Sequence, residues 1–285
     1  MRSLAEYIMR GRTEAALIAG SCTASLLFAW VGIAAVALVV LRLGFSAAST
    51  VILASLVPAT AWALFAGEIG PIATLCCIIV LALVLRTTAS WSWLLTVMPL
   101  VIGGWCLGLL LLAPDYVAQL VQQLEQITAQ FMQQLNEQRA AAEQEPLPLR
   151  EAPSGQQLVG FFGLMQSVVC AVILLVARWW QSVLYNPGGF RDEFHALRLE
   201  KLQVVALVLG LVLLSSSTEY QMWSWLFALP LVVAGIALVH GLFGIHAIPR
   251  QWLVVFYLAL VIANPMLPFL LMLAVADTAL DFRQR

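Results

Sequence analysis

The side chains that could coordinate a metal or react with a substrate are few in this sequence, and their spacing keeps them apart. His240 and His246 are six residues apart, so a helix would place them on different faces. Cys76 and Cys77 are adjacent and would also point to different faces. All five cysteines lie within apolar stretches, which favours small buried hydrophobes over a zinc site or a disulfide framework. We therefore predict no metal site.

Catalytic motifs are also missing from the sequence. It contains no HExxH, no GxSxG, no glycine-rich phosphate loop with a lysine, and no pair of carboxylates within an apolar stretch. A pump or a proton-coupled carrier needs buried acids or bases for its relay. We expect neither enzymatic activity nor a bound cofactor, and the net charge of −1 offers no basic surface for nucleic acid.

The elements that position these residues are predicted to be membrane helices. The chain is 62% hydrophobic and only 10% charged, and one membrane span needs about 20 apolar helical residues. We predict an all-α fold: a single transmembrane domain over residues 1–285, with about eight to ten membrane segments and an extramembranous segment at 114–157. The eight apolar stretches are residues 15–41, 45–66, 69–85, 92–113, 158–177, 202–217, 223–245 and 251–280.

The distribution of arginine and lysine decides how these stretches cross the membrane. Eight uninterrupted spans would leave seven of the 14 Lys and Arg residues on each side. Splitting the first stretch near residues 30–32 and the last at Asn264 and Pro265 leaves twelve on one side, with only Arg139 and Arg150 on the other. Because basic loops accumulate in the cytoplasm, the sequence favours the split chain with a cytoplasmic N-terminus.

Residues 114–157 form the one long polar segment. Between Pro114 and Leu135, apolar residues recur every three or four positions among Gln and Glu, which is typical of an amphipathic helix. Three prolines then predict an extended return to the membrane: Pro146, Pro148 and Pro153. The pattern leaves three alternatives open: a helix on the protein's own outer face, a self-associating coiled coil, or a lid over an outward cavity.

Three polar residues fall at breaks between apolar stretches on the outward side. Glu68 lies among glycines and a proline, Glu219 follows a serine-rich turn, and Asn264 precedes Pro265. In the split topology these breaks lie outside the membrane, where they could line the mouth of a solute cavity. Solvated turns are the alternative.

Two further regions have the composition of docking surfaces. Ala15 and Ala19 form a small-residue face on the first apolar helix, which suits either close internal packing or a partner helix. The connector at residues 178–201 contains a strong turn, Asn-Pro-Gly-Gly, flanked by aromatic and charged residues. It is either an interfacial anchor or a docking surface. Its candidate residues are Arg178, Trp179, Gln181, Tyr185, Asn186, Phe190, Arg191, Phe194 and Arg198.

Four short motifs carry a family resemblance. They are Thr13-Glu14-Ala15-Ala16, Leu41-Arg42-x-Gly44, the connector around residues 190–199, and Asp277-x-x-x-Asp281-Phe282-Arg283. With them the chain resembles the YybS-like family of uncharacterised bacterial membrane proteins, which is distantly similar to the substrate-binding S components of energy-coupling-factor transporters.

The resemblance implies a multi-pass protein of the bacterial inner membrane that binds or helps to move a small solute without its own energy source. The alternative is a membrane scaffold or assembly factor that acts through residues 114–157 and 178–201. The expected partners are the lipid bilayer and a membrane or cytoplasmic protein.

Overall fold

The computed structural model describes residues 1–148, 152–263 and 265–283, and these residues form helices and turns without any β-strand. The all-α prediction is confirmed. In chain order the helices are α1 (Arg2–Ile8), α2 (Arg12–Ala24), α3 (Ala29–Leu43), α4 (Phe45–Ala66), α5 (Gly70–Thr88), α6 (Trp91–Leu112), α7 (Pro114–Ala141), α8 (Gly155–Tyr185), α9 (Gly189–Ala196), α10 (Lys201–Ser215), α11 (Gln221–Ile245), α12 (Gln251–Ile262) and α13 (Met266–Leu280).

Six of these helices are long and apolar enough to cross a membrane by themselves: α3 with the turn before it, α4, α5, α6, α8 and α11. The bent pair α12 and α13 would make a seventh span. The predicted number of eight to ten membrane segments was higher because it also counted shorter apolar helices such as α2 and α10. Since α2 has 13 residues and α10 has 15, neither reaches the length of about 20 residues that a single crossing needs.

The first apolar stretch is broken, but earlier than predicted. The chain leaves α2 at Ser25, forms one 3₁₀ turn at Leu26–Phe28, and returns as α3. Gly32, which the sequence suggested for the turn, lies inside α3 and packs against α2. A Cβ atom at Gly32 would stand 2.5 Å from the Thr23 hydroxyl and 2.6 Å from the carbonyl oxygen of Ala19. The glycine is therefore a contact point of a helical hairpin and not its turn.

The last apolar stretch is broken where the sequence predicted. The axes of α12 and α13 differ by 118°, and Pro265 precedes the first residue of α13. Proline has no backbone N–H to continue the hydrogen bonding of a helix, so it suits this boundary. Asn264 lies outside the described residues.

The centre of the bundle is α3. Every residue from Gly32 to Leu41 is buried, and α2, α4, α5 and α8 pack around the helix. A helix that is apolar on all sides can be surrounded in this way. The core around α3 consists mainly of aliphatic side chains, with three buried tryptophans: Trp91, Trp180 and Trp223.

The helices divide the turns between two ends of the bundle. The acidic end comprises the turns at 25–28, 67–69 and 216–220, together with α7 and its described flanking residues 113, 142–148 and 152–154. At this end Trp62 Nε1 donates to the carbonyl oxygen of Thr23 at 3.2 Å. The basic end holds the N-terminal residues, residues 281–283, the connector and the turns at 44, 89–90 and 246–250. At this end Arg86 donates to the carbonyl oxygen of Leu41 at 2.7 Å. Among the described residues, eleven Lys and Arg lie at the basic end and one, Arg139, at the acidic end. This is the grouping that the split predicted.

Candidate functional site

The connector helix α9 is fixed to the basic end by an ion pair with α8. Arg178 donates from Nε to Glu193 Oε2 at 2.9 Å and from Nη2 to Glu193 Oε1 at 2.6 Å. Its Nη1 donates to Gln181 Oε1 at 2.6 Å, and Trp91 Nε1 approaches Glu193 at 3.4 Å. A bidentate pair fixes orientation as well as distance, so α9 has a defined position on the bundle.

The C-terminal segment fastens the other end of the connector. Arg198 pairs with Asp281 at 2.6 Å. Arg283 pairs with Asp277 at 2.5 Å and donates to the carbonyl oxygen of Leu197 at 2.8 Å. Asp277 is only 3% exposed, and a carboxylate so buried needs a charged partner. The motif at residues 277–283 therefore holds the C-terminal end of the connector in place.

Two glycines of α11 allow α9 to approach closely. A Cβ atom at Gly241 would stand 2.7 Å from the carbonyl oxygen of His195, and one at Gly244 would stand 2.8 Å from His195 Nδ1. Burial lowers the pKa of His195, and the neighbouring Arg191 lowers it further. The imidazole therefore favours its neutral form at this contact.

A groove of about 500 Å³ opens beside this contact. We call it the basic-end groove. On the α11 side of the groove Gly241 and Gly244 present no side chain. The guanidinium of Arg191 lines the groove from α9. The lining residues are Arg191, Asp192, His195, Ala196, Gly241, Gly244 and Ile245.

The predicted docking residues of the connector fall into two groups. Five of them are engaged within the protein: Arg178, Gln181 and Arg198 in the polar contacts above, and Phe190 and Phe194 in a ring stack 6.0 Å apart that packs on the core. The others expose a third or more of their surface: Trp179, Tyr185, Asn186 and Arg191. Tyr185 also lies under the Arg42 guanidinium, 4.1 Å from its ring centre. The engaged group anchors the connector, and only the exposed group is accessible to a partner.

The small-residue face of α2 is not accessible to a partner. Ala15 and Ala19 are 2% and 0% exposed, because α3 and α4 pack against α2. The prediction of a docking face there is corrected by this packing. Close approach of helices, which small residues permit, occurs inside the protein.

The predicted mouth residues Glu68 and Glu219 lie at two different turns of the acidic end. Glu219 accepts a hydrogen bond from Ser154 Oγ at 2.5 Å, beside the start of α8. Glu68 lies near Tyr116 of α7, whose hydroxyl donates to the carbonyl oxygen of Gly67 at 2.8 Å. Burial and the charge of Glu68 raise the pKa of Tyr116. Each carboxylate thus lies at a turn, in agreement with the solvated alternative, while Asn264 lies outside the described residues.

Two grooves lie nearer the acidic end, and neither glutamate lines them. The α6–α7 groove, of about 570 Å³, is bordered by Leu107, Leu110, Leu111, Pro114, Val117, Ala118, Val121, Gly155, Gln156 and Tyr220. The lateral groove, of about 340 Å³, lies between α10, α11 and α13, and Ser215, Gln221 and Ser224 are its polar lining residues. Both grooves open at the protein surface and are mainly apolar.

Sequence reasoning missed the contribution of His195, Gly241 and Gly244 to the basic-end groove. The three-residue spacing of the glycines was the available signal, since it places both on one helix face. No group of three or more His, Cys, Asp or Glu side chains that could hold a metal occurs within the described part of the chain. No family model, curated protein or solved structure matches this chain.

Proposed function

We propose that this chain is a membrane scaffold or assembly factor that binds an acidic segment of a cytoplasmic partner in the basic-end groove. The observation that carries the proposal is the open groove itself, which Arg191 lines without an ion-pair partner among the described residues. The ion pairs of Arg178, Arg198 and Arg283 hold its α9 wall in place. Asp192 also lines the groove, but Arg191 offers a guanidinium in a fixed, concave surface, which suits recognition of a carboxylate on an acidic segment.

The charge around the groove supports an acidic partner. The basic end carries eleven described Lys and Arg residues against seven Asp and Glu. A surface with excess positive charge attracts negatively charged partners over distances of about a Debye length, about 8 Å at physiological salt. Under the positive-inside rule the same excess supports a cytoplasmic position for the groove.

Photo-crosslinking in cells tests this proposal. A photoreactive amino acid at Ile245, on the groove wall, is expected to form an adduct with a peptide of net negative charge. The same residue at Ile127, at the acidic end, should not form it. Arg191→Glu should abolish the adduct, whereas Arg10→Glu, a matched charge reversal outside the groove, should leave it. Adducts with lipid alone, or an adduct unaffected by Arg191→Glu, would reject the function.

Binding of a small solute is the second candidate, and the lateral groove favours it. Its serine and glutamine side chains lie in an otherwise apolar surface, a combination that suits an amphiphilic molecule. Native mass spectrometry of the purified protein should then detect a bound solute, and Leu267→Trp, at an exposed lining residue, should reduce its occupancy by filling the groove. Equal occupancy in both proteins, or no solute in either, counts against this candidate.

A further inference from the structure

We infer that α7 is an interfacial helix that rests its apolar face on the lipid leaflet at the acidic end of the bundle. This inference is independent of the function proposed above, which uses the opposite end. The apolar face of α7 consists of Val117, Leu120, Val121, Leu124, Ile127, Phe131 and Leu135.

The protein covers this face only in part. Val117 is buried in the first turn of the helix, and four residues are half-buried: Leu120, Val121, Leu124 and Leu135. Ile127 is 63% exposed and Phe131 is 61% exposed. The expectation that α7 lies on the protein's own outer surface therefore applies only to its first turns, which contact α6 and α8. An amphipathic helix of 28 residues that leaves large apolar side chains such as Ile127 and Phe131 uncovered needs another apolar medium.

The junction with α6 shows which medium this face meets. The chain turns at Ala113, and both helices border the α6–α7 groove. From α6 the groove receives Leu107 and Leu111, which are 50% and 77% exposed on a membrane-spanning helix and so face lipid. From α7 it receives Val117 and Val121. The apolar face of α7 therefore continues the lipid-contacting surface of α6.

The depth of this junction agrees with an interfacial position. Because α6 is a 22-residue span that ends at Leu112, Pro114 begins α7 where the chain leaves the hydrocarbon. Helices of this kind bury their apolar face about 5–10 Å into the boundary between headgroups and acyl chains. Residues at three- and four-residue spacing from Val117 to Leu135 keep that face directed towards the leaflet.

The charge of α7 identifies the type of lipid. Asp115, Glu125 and Glu137 oppose a single basic residue, Arg139, so anionic headgroups would be repelled. The rest of the polar face is rich in glutamine, whose amide forms hydrogen bonds without net charge. The occupant of the apolar face is therefore a leaflet of net neutral, zwitterionic lipid.

Spin-label accessibility tests the inference on the full chain in phosphatidylcholine nanodiscs, with the native cysteines replaced by alanine. A label at Phe131, on the apolar face, should collide with oxygen more than with a water-soluble nickel chelate. A label at Gln133, on the polar face, should show the reverse. Two labels equally accessible to the nickel chelate would overturn the inference. Strong coupling between Phe131 labels of two copies would also overturn it, because a second chain would then cover the face.

A matched pair of substitutions checks that the apolar face causes the contact. With the reporter label at Ile127, Phe131→Glu should shift the label from oxygen-accessible to nickel-accessible. Gln133→Glu adds the same charge on the opposite face and should leave the label unchanged. If the two substitutions have the same effect, general charge and not the apolar face controls the position of α7, and the inference fails.

Discussion

Gly32→Ala should weaken the α2–α3 hairpin measurably. The added methyl group would stand 2.5 Å from Thr23 Oγ1 and 2.6 Å from the Ala19 carbonyl oxygen, and a backbone carbonyl cannot rotate away. Overpacking of this kind costs about 1–3 kcal/mol. Replacing a mid-helix glycine by alanine returns about 0.5–1 kcal/mol through helix propensity. The net loss in the free energy of unfolding is therefore between about zero and about 2.5 kcal/mol, and relative to a glycine-to-alanine change that gains the same propensity without a clash it is about 1–3 kcal/mol.

Reversible unfolding in mixed micelles of rising SDS content, followed by circular dichroism, measures this loss. Gly104→Ala is the matched control, because a Cβ atom at this mid-helix glycine of α6 would have no neighbour within 4 Å. The control should be neutral or slightly stabilising. The result also separates the two topologies, since one straight helix over residues 15–41 would carry Gly32 away from Ala19 and Thr23. Equal stability of the two variants would refute the hairpin.

Three further measurements address other parts of the molecule. The buried hydrogen bond between Thr23 and Ser55, 2.7 Å long, should give a coupling of about 0.6 kcal/mol in a Thr23→Val, Ser55→Ala double-mutant cycle; additive single changes would contradict it. Arg191→Gln should raise the pKa of His195 towards 6.5 in an NMR titration. Because folding lowers the pKa of His195, the stability that its neutral imidazole contributes is lost as pH falls below 6.5. An unchanged His195 titration in Arg191→Gln would refute the contact between these two residues. A cysteine at Gln130 should label from outside intact cells, whereas three basic-end positions should not: Arg42, Phe190 and Arg250.

The sequence predicted the helical fold well because apolar length and proline act locally. The break at Pro265 follows directly from the missing N–H of proline. The break before α3 was misplaced by several residues, since Gly32 looks like a turn residue when its neighbours are unknown. Only the packing of α3 against Ala19 shows that this glycine lies at a contact between helices.

The candidate site was less predictable because its residues depend on long-range contacts. Arg178 and Glu193 are 15 residues apart, and Arg198 and Asp281 are 83 apart. Composition identified the connector as unusual, but it could not separate the side chains that hold the connector from those that remain exposed. Arg191 differs from Arg178 only in what the folded chain brings beside it.

The ion pairs also explain how the basic end keeps its excess charge while it holds acidic residues. Glu193, Asp277 and Asp281 each pair with an arginine and so fasten the connector. An acidic residue that is neutralised in this way opposes an acidic partner less than a free carboxylate does, because the field of a close ion pair falls off faster than that of a single charge. Among the described charged side chains at this end, those that form no ion pair are mostly arginines. Connector attachment and positive charge therefore arise from the same arrangement: Glu193, Asp277 and Asp281 are neutralised in ion pairs, and Arg191 faces the groove together with Asp192.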